Sequence, residues 1–166
     1  MKIKHLLIAL LMLGLMACGA GTKEEVQFPV PMTGYVHDFS NVLTPNVIKL
    51  VNDQLRAADR AGKVKMAVVT VPSLYGLDVA DYTVQLGKKW GVGDKESNNG
   101  IILLIATKEK KVRLEVGYGN EAVMPDGVAK LILVNHITPP LRKGDYNHGV
   151  QDGVREVLAA LDKKKE

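Results

Sequence analysis

Oxygen ligands crowd two short stretches of this chain. Asp94-Lys-Glu96-Ser-Asn98-Asn99-Gly100 sets carboxylates and amides side by side, and Gly117-Tyr-Gly-Asn120-Glu121 adds more further on. Carboxylates, amide and backbone carbonyls and water are what Ca²⁺ takes, roughly six to eight at a time. Carboxylates gathered without a counter-ion raise one another's pKa, and Lys95 is the only cation within these loops. Asp94, Glu96, Asn98, Asn99 and Glu121 are the candidate metal ligands, and Asp38 or Asp126 could complete the set. Ca²⁺ suits them best; the alternatives are Mg²⁺, which demands a tighter octahedron, and another divalent cation. Asp94–Gly100 superficially resembles an EF-hand loop, but its glycine falls seventh rather than sixth and its twelfth position is Ile105, so a metal site must be assembled across the fold. A plainer reading stands beside it. Asn98-Asn99-Gly100 is also ordinary turn chemistry, because Asn tolerates positive φ and bonds its own backbone.

Other chemistries fit less well. Gly117-Tyr-Gly119-Asn-Glu-Ala122 matches the dinucleotide pattern after a strand, yet Val123-Met124-Pro125 delays the helix that should follow at once, and Glu121 would face the pyrophosphate. A phosphatase would show a C-x₅-R loop, a D-x-D pair or a G-x-S-x-G elbow, and none is present. His37, His136 and His148 lack a metal-ligand spacing. A hydrolase here would rely on the metal to activate water, with Asp or Glu as base, so the residue types leave catalysis undecided.

The two loops need a scaffold that brings them together. Ile101–Ala106 is a continuous apolar run, as in a strand covered on both faces. Val112–Val116 alternates apolar and charged, as a strand with one wetter face does. Antiparallel pairing through Lys108–Lys111 places the start of the first beside the end of the second, so the loops meet at one edge. Lys65–Val71 reads as a central strand ended by Pro72. Thr44-Pro45 opens a helix with Ile48, Val51, Leu55 and Ala58 on its apolar face, closed by Gly62. Asp78 caps a second, with Val79, Tyr82, Leu86 and Trp90 inward. Pro125-Asp126 opens a third that Pro139-Pro140 ends, and Asn147–Lys163 forms a fourth with Val150, Val154, Val157, Leu158 and Leu161 buried. Arg142–Tyr146 is a connecting loop. The order implies an α/β fold, a three-layer α/β/α sandwich around a small mixed β-sheet.

The N-terminus indicates export. Lys2 and Lys4 precede the apolar run Leu6–Met16, then Leu15-Met16-Ala17-Cys18, with the chain's one cysteine directly after a small residue. Residues 1–17 are expected to be a signal peptide that resembles those of bacterial lipoproteins, in which the cysteine is acylated and the chain cut before it. That makes Cys18 the lipidation site and the membrane a partner through its acyl chains. The expected place is the cell envelope, at the outer membrane facing the periplasm if the host is Gram-negative. Cleavage leaves 149 residues and lowers the net charge from +4 to +2, the size of one domain. With no basic patch interleaved with aromatics, nothing points to nucleic acid. Residues 18–32 read as a tether and 33–162 as the domain.

Several motifs resemble one family. V-H-D-F-S-N-V-L-T, W-G-V-G-x₅-N-N-G-I-I-L-L-I-A, R-L-E-V-G-Y-G-N-E, M-P-D-G-V-A and L-R-K-G-D-Y-N-H-G-V follow the order and spacing of the TPM domain, also called YgcG-like, across residues 33–161. The resemblance implies an α/β/α sandwich, frequent membrane attachment and export, and divalent-cation binding in some members. A thylakoid-lumen member is described as an acid phosphatase, and an animal member as a receptor's accessory subunit. It tilts the two-loop corner towards a metal. The expectation is an accessory or binding lipoprotein assisting an envelope protein complex, with metal-dependent acid phosphatase as the alternative.

Overall fold

In the computed structural model, which describes residues 28–31, 33–94 and 96–163, the β-branched runs form a sheet held between helices. The elements run β1 (Val36–Asp38), α1 (Pro45–Arg60), β2 (Lys65–Val71), α2 (Val79–Trp90), β3 (Gly100–Ala106), β4 (Lys111–Val116), a 3₁₀ turn (Tyr118–Asn120), α3 (Asp126–Ile132), a π-helical turn (Leu133–Ile137), α4 (Thr138–Arg142) and α5 (Tyr146–Asp162). The sheet order is β1-β2-β3-β4, with β1, β2 and β3 parallel and β4 antiparallel to β3. Three layers around a mixed sheet are what the sequence implied. β1 had no counterpart in that reading. It is three residues long, too short for alternation to show, and the ladder from Val36 opposite Val68 to Asp38 opposite Thr70 defines it.

Alternation along the central strands divides the core in two. Met66, Val68, Ile101, Leu103 and Ile105 face α1, α3 and α5, while Ala67, Val69, Val71, Ile102, Leu104 and Ala106 face α2. Each large aliphatic side chain so buried contributes roughly 1.5–3 kcal/mol. On α1 the inward residues are Val47, Val51, Leu55 and Ala58; Ile48 is only half-buried, one position round from the expected stripe. Gly62, at φ +65°, closes that helix by donating its N–H to the Asp59 carbonyl. Thr44 sits at the helix start without capping through its side chain; its backbone N–H donates instead to Asn147 Oδ1 at 2.9 Å.

Pro139-Pro140 does not end the third helix. The chain leaves α3 through the π-helical turn, and the prolines occupy the first turn of α4, where missing N–H groups cost nothing. Gly153 of α5 lies against Ile137 of the π-helical turn so closely that a Cβ would meet Ile137 Cγ1 at 2.6 Å. Part of the expected tether also belongs to the domain. Phe28 packs on Tyr82 with ring centroids 4.9 Å apart, and Trp90 Nε1–H donates to the Pro29 carbonyl at 2.9 Å. The signal peptide and Cys18 lie outside the described residues. Among those residues, no helix is long and apolar enough to cross a membrane.

Candidate functional site

The antiparallel β3–β4 pair sets Gly100 opposite Gly117, and beyond that pair the two loops stack. Gly117 N–H donates to the Gly100 carbonyl at 2.8 Å, and Gly119 N–H to the Asn98 carbonyl at 3.1 Å. Asn120, buried, donates its amide to the Asn99 carbonyl at 2.7 Å. Glycine is required here by space. A Cβ would fall 2.1 Å from the Asn98 oxygen at position 117, 2.0 Å from the Ser97 oxygen at 119, and 2.2 Å from the Val92 oxygen at 100. Gly117 and Gly119 therefore sit where backbone lies directly on backbone. Asn98 does take the positive φ (+46°) that its turn chemistry allowed.

Asp94 organises the first loop. Its backbone N–H donates to Asn99 Oδ1 at 2.9 Å, its carbonyl accepts from Asn98 N–H at 2.7 Å, and its carboxylate accepts from Asn99 Nδ2 at 3.2 Å. The Lys65 ammonium, from the first residue of β2, also pairs with that carboxylate. The loops alone show Lys95 as their cation; the sheet supplies Lys65. That hydrogen bond first, then the one from Asn99, holds the Asp94 carboxyl below its ordinary value, and the Asp94 carboxylate in turn raises Lys65.

A cavity of about 530 Å³ opens beside this corner. One wall is α2 at Thr83, Gly87 and Lys88 with its C-cap Gly91, and the other is the chain from Arg113 to Tyr118. Asp94, Asn98, Glu121 and Asp126 line it together, so four predicted ligands share one space. The other three stand elsewhere. Glu96 is exposed and outside the lining. The Asn99 side chain is spent on Asp94. Asp38 cannot join the others, because it ends β1 opposite Thr70, whereas the corner begins where Gly100 faces Lys65 at the opposite end of β2. There its carboxylate accepts from Thr70 Oγ1, from Leu43 N–H at 2.8 Å and from Val42 N–H at 3.2 Å. Among the described residues no three acidic, histidine or cysteine side chains converge closely enough to hold a metal ion by themselves. A cation in the cavity would draw on backbone and amide oxygens and water beside its carboxylates.

Arg113 and Glu115 escaped the sequence reading as site residues. Both face the α2 side, opposite Leu104 and Ile102, and line the cavity. Arg113 Nη2 and Glu115 Oε2 lie 2.7 Å apart. Their alternation with Val112, Leu114 and Val116 is the available signal, and taken alone it indicates only a wetter strand face.

Glu109 is the other unanticipated anchor. It reaches from the β3–β4 turn to accept from Ser73 Oγ–H at 2.8 Å and Leu74 N–H at 3.1 Å through the same oxygen. Its second oxygen and the Tyr82 hydroxyl are buried without a partner among the described residues. Burial, with Tyr75 and the Glu109 charge, pushes the Tyr82 hydroxyl up to about 12.

Comparison with known proteins gives a consistent picture. The family model of the TPM domain matches residues 36–160. The N-terminal domain of a P. gingivalis protein, solved in solution, is 36% identical, with a TM-score of 0.73 over 80% of this chain and 84% of that one. BA42 from the psychrophilic bacterium Bizionia argentinensis is 21% identical, with a TM-score of 0.63 over 73% of this chain and 82% of that one. The N-terminal domain of a Corynebacterium glutamicum protein shares 17% identity at a TM-score of 0.63, covering 87% of this chain and 93% of that one. At those two identities the likeness concerns the fold alone. No curated protein is significantly similar to this chain.

Proposed function

The chain belongs to the TPM-domain family, and on that premise we propose a lipid-anchored accessory protein of the cell envelope, which binds a partner protein there rather than transforming a substrate. A divalent cation, Ca²⁺ in preference to Mg²⁺, sits at the acidic end of the cavity beside β4. One observation carries the cation: Asp94, Asn98, Glu121 and Asp126 arrive in one cavity from the loop after α2, the segment after β4 and the start of α3. A dication there relieves the mutual repulsion of the carboxylates and ties three separate segments together. Calcium's loose coordination suits ligands drawn from loops better than magnesium's octahedron does.

Thermal melts in EDTA and in millimolar CaCl₂ test the cation. At a hundredfold excess over the dissociation constant, binding stabilises the fold by about 2.7 kcal/mol. Calcium should raise the melting temperature, and magnesium should raise it less. Glu121→Gln and Asp126→Asn should shrink the shift, while Glu96→Gln, outside the cavity, should leave it intact. Equal melting temperatures in both buffers reject the site. For the anchor, labelled palmitate should enter the wild type and be lost in Cys18→Ala; unchanged membrane fractionation of that variant rejects it.

The phosphatase reading has one observation in its favour. Arg113 and Lys88 line the same cavity and could receive phosphoryl oxygens beside a metal. Metal-dependent turnover of p-nitrophenyl phosphate that disappears in Asp94→Ala would move the protein to that class.

A further inference from the structure

β4 is an outer strand of the sheet, and its sequence is complementary to itself. Gly117 N–H points inward to the Gly100 carbonyl. By the alternation of an antiparallel ladder, Lys111, Arg113 and Glu115 also turn their backbone groups towards β3, while Val112, Leu114 and Val116 turn theirs to the free edge. The cavity runs along this edge, since the consecutive residues from Arg113 to Tyr118 all line it.

We propose that this edge receives a second copy of the chain, the two sheets joining through an antiparallel β4–β4 seam with Leu114 opposite the partner's Leu114. In that register Val112, Leu114 and Val116 exchange N–H and C=O groups with the partner's Val116, Leu114 and Val112. Arg113 stands opposite the partner's Glu115, and Glu115 opposite the partner's Arg113. Both pairs lie on the α2 face, where Arg113 and Glu115 already bond within each chain, so the seam builds a four-charge network. Lys111 meets the partner's Gly117, which brings it to the acidic end of the cavity without facing a like charge. A slip of two residues either way sets Arg113 against the partner's Arg113 or Glu115 against the partner's Glu115, and like charges directly opposed are unfavourable. The pattern thus selects one register.

Charged residues on an edge strand often guard against pairing. Guarding by charge is strongest where pairing opposes like charges, whereas this strand matches its own two-fold copy. The flanks agree. Tyr118, directly after β4, Leu131 on α3 and Val134 on the π-helical turn are 78%, 60% and 55% exposed, and both α3 and the π-helical turn pack beside β4. A second copy is the occupant that covers these side chains symmetrically.

The seam does not require the cation, so it is tested in EDTA. Sedimentation of the full chain in mild detergent should show a monomer–dimer equilibrium. Arg113→Glu leaves only acidic side chains at 113 and 115, and Glu115→Arg only basic ones. Each variant alone should dimerise at least about tenfold more weakly, with circular dichroism checking that it folds. Mixed together, they should restore association, which a purely structural defect would not do. With Cys18→Ser as background, cysteines placed singly at 113 and 115 should likewise cross-link faster in the mixture than in either variant alone. A wild type monomeric at every concentration, single variants that dimerise like the wild type, or a mixture without rescue overturns the seam.

Discussion

The Lys65 ammonium rests on the Asp94 carboxylate, joining the first residue of β2 to the loop that follows α2. A cation using Asp94 must therefore compete with a resident one. Lys65→Met should strengthen calcium binding, by roughly tenfold at low ionic strength, because a unit charge no longer repels the dication. Isothermal titration of both proteins checks this; equal affinities would place calcium away from Asp94. The pair also sets a pH window. Asp94 is held below its ordinary 3.8, so its contribution is complete above that value and lost as pH falls through the folded pKa. Lys65 is raised above 10.5, so its share is complete below that value and lost as pH climbs through the folded pKa. Both side chains are nearly half exposed, and salt should weaken the effect.

Glu109 fastens the β3–β4 turn to the loop after β2. Glu109→Ala leaves Ser73 Oγ and the Leu74 amide without their acceptor and should cost about 1–3 kcal/mol, read from the urea midpoint at unchanged slope. Burial alone would push this carboxyl up; the Leu74 amide and the Ser73 hydroxyl together outweigh it and hold the carboxyl below its ordinary 4.5. Its contribution is therefore present above that value and lost on acidification through the folded pKa. A midpoint that does not move in Glu109→Ala would show the contact to be idle.

Periodicity made most of the fold legible, because Lys65–Val71 and Ile101–Ala106 are apolar on both faces and α5 keeps its valines on one side. β1 was not legible, since three residues carry no period and its existence depends on pairing with β2. The loops of the corner were legible as local oxygen-rich sequence, and their meeting followed from one antiparallel pairing. The seven proposed ligands could not be sorted, because what separates Asp126 from Asp38 is which end of β2 each is carried to. Lys65 stands far from Asp94 in sequence and joins it only through the β2–β3 register.

Trp90 ties down the start of the domain. It donates to the Pro29 carbonyl, stands edge-on to His37 with ring centroids 4.7 Å apart, and packs with Phe28 against the apolar layer between α2 and the sheet. A domain cut to begin at residue 33 should lose on the order of 2 kcal/mol through the buried part of Phe28 and the lost hydrogen bond. Phe28→Ala in the full-length chain should lose about half of that. An unaltered melting curve for the shortened domain would make the contact incidental and return this stretch to the role of a plain tether.

The stacked glycines allow a contrast within one residue type. Gly119 has ordinary backbone angles, so alanine there meets no conformational objection, yet its Cβ would sit 2.0 Å from the Ser97 oxygen. Since that atom is backbone, no rotamer change relieves the clash, and the loop carrying Asp94 and Asn98 must lift away. Gly119→Ala should destabilise the domain by about 3 kcal/mol, at the upper end for overpacking, and should weaken calcium binding at the same time. Gly127, in the first turn of α3, has nothing within 4 Å of the same atom. Gly127→Ala should stabilise by about 0.4–1 kcal/mol through the lower entropy of the unfolded chain and leave calcium binding as it was. Paired melts with and without calcium separate the two effects. If both variants lose stability alike, the cost belongs to glycine's backbone freedom, and the stacking of the two loops is not what holds the corner together.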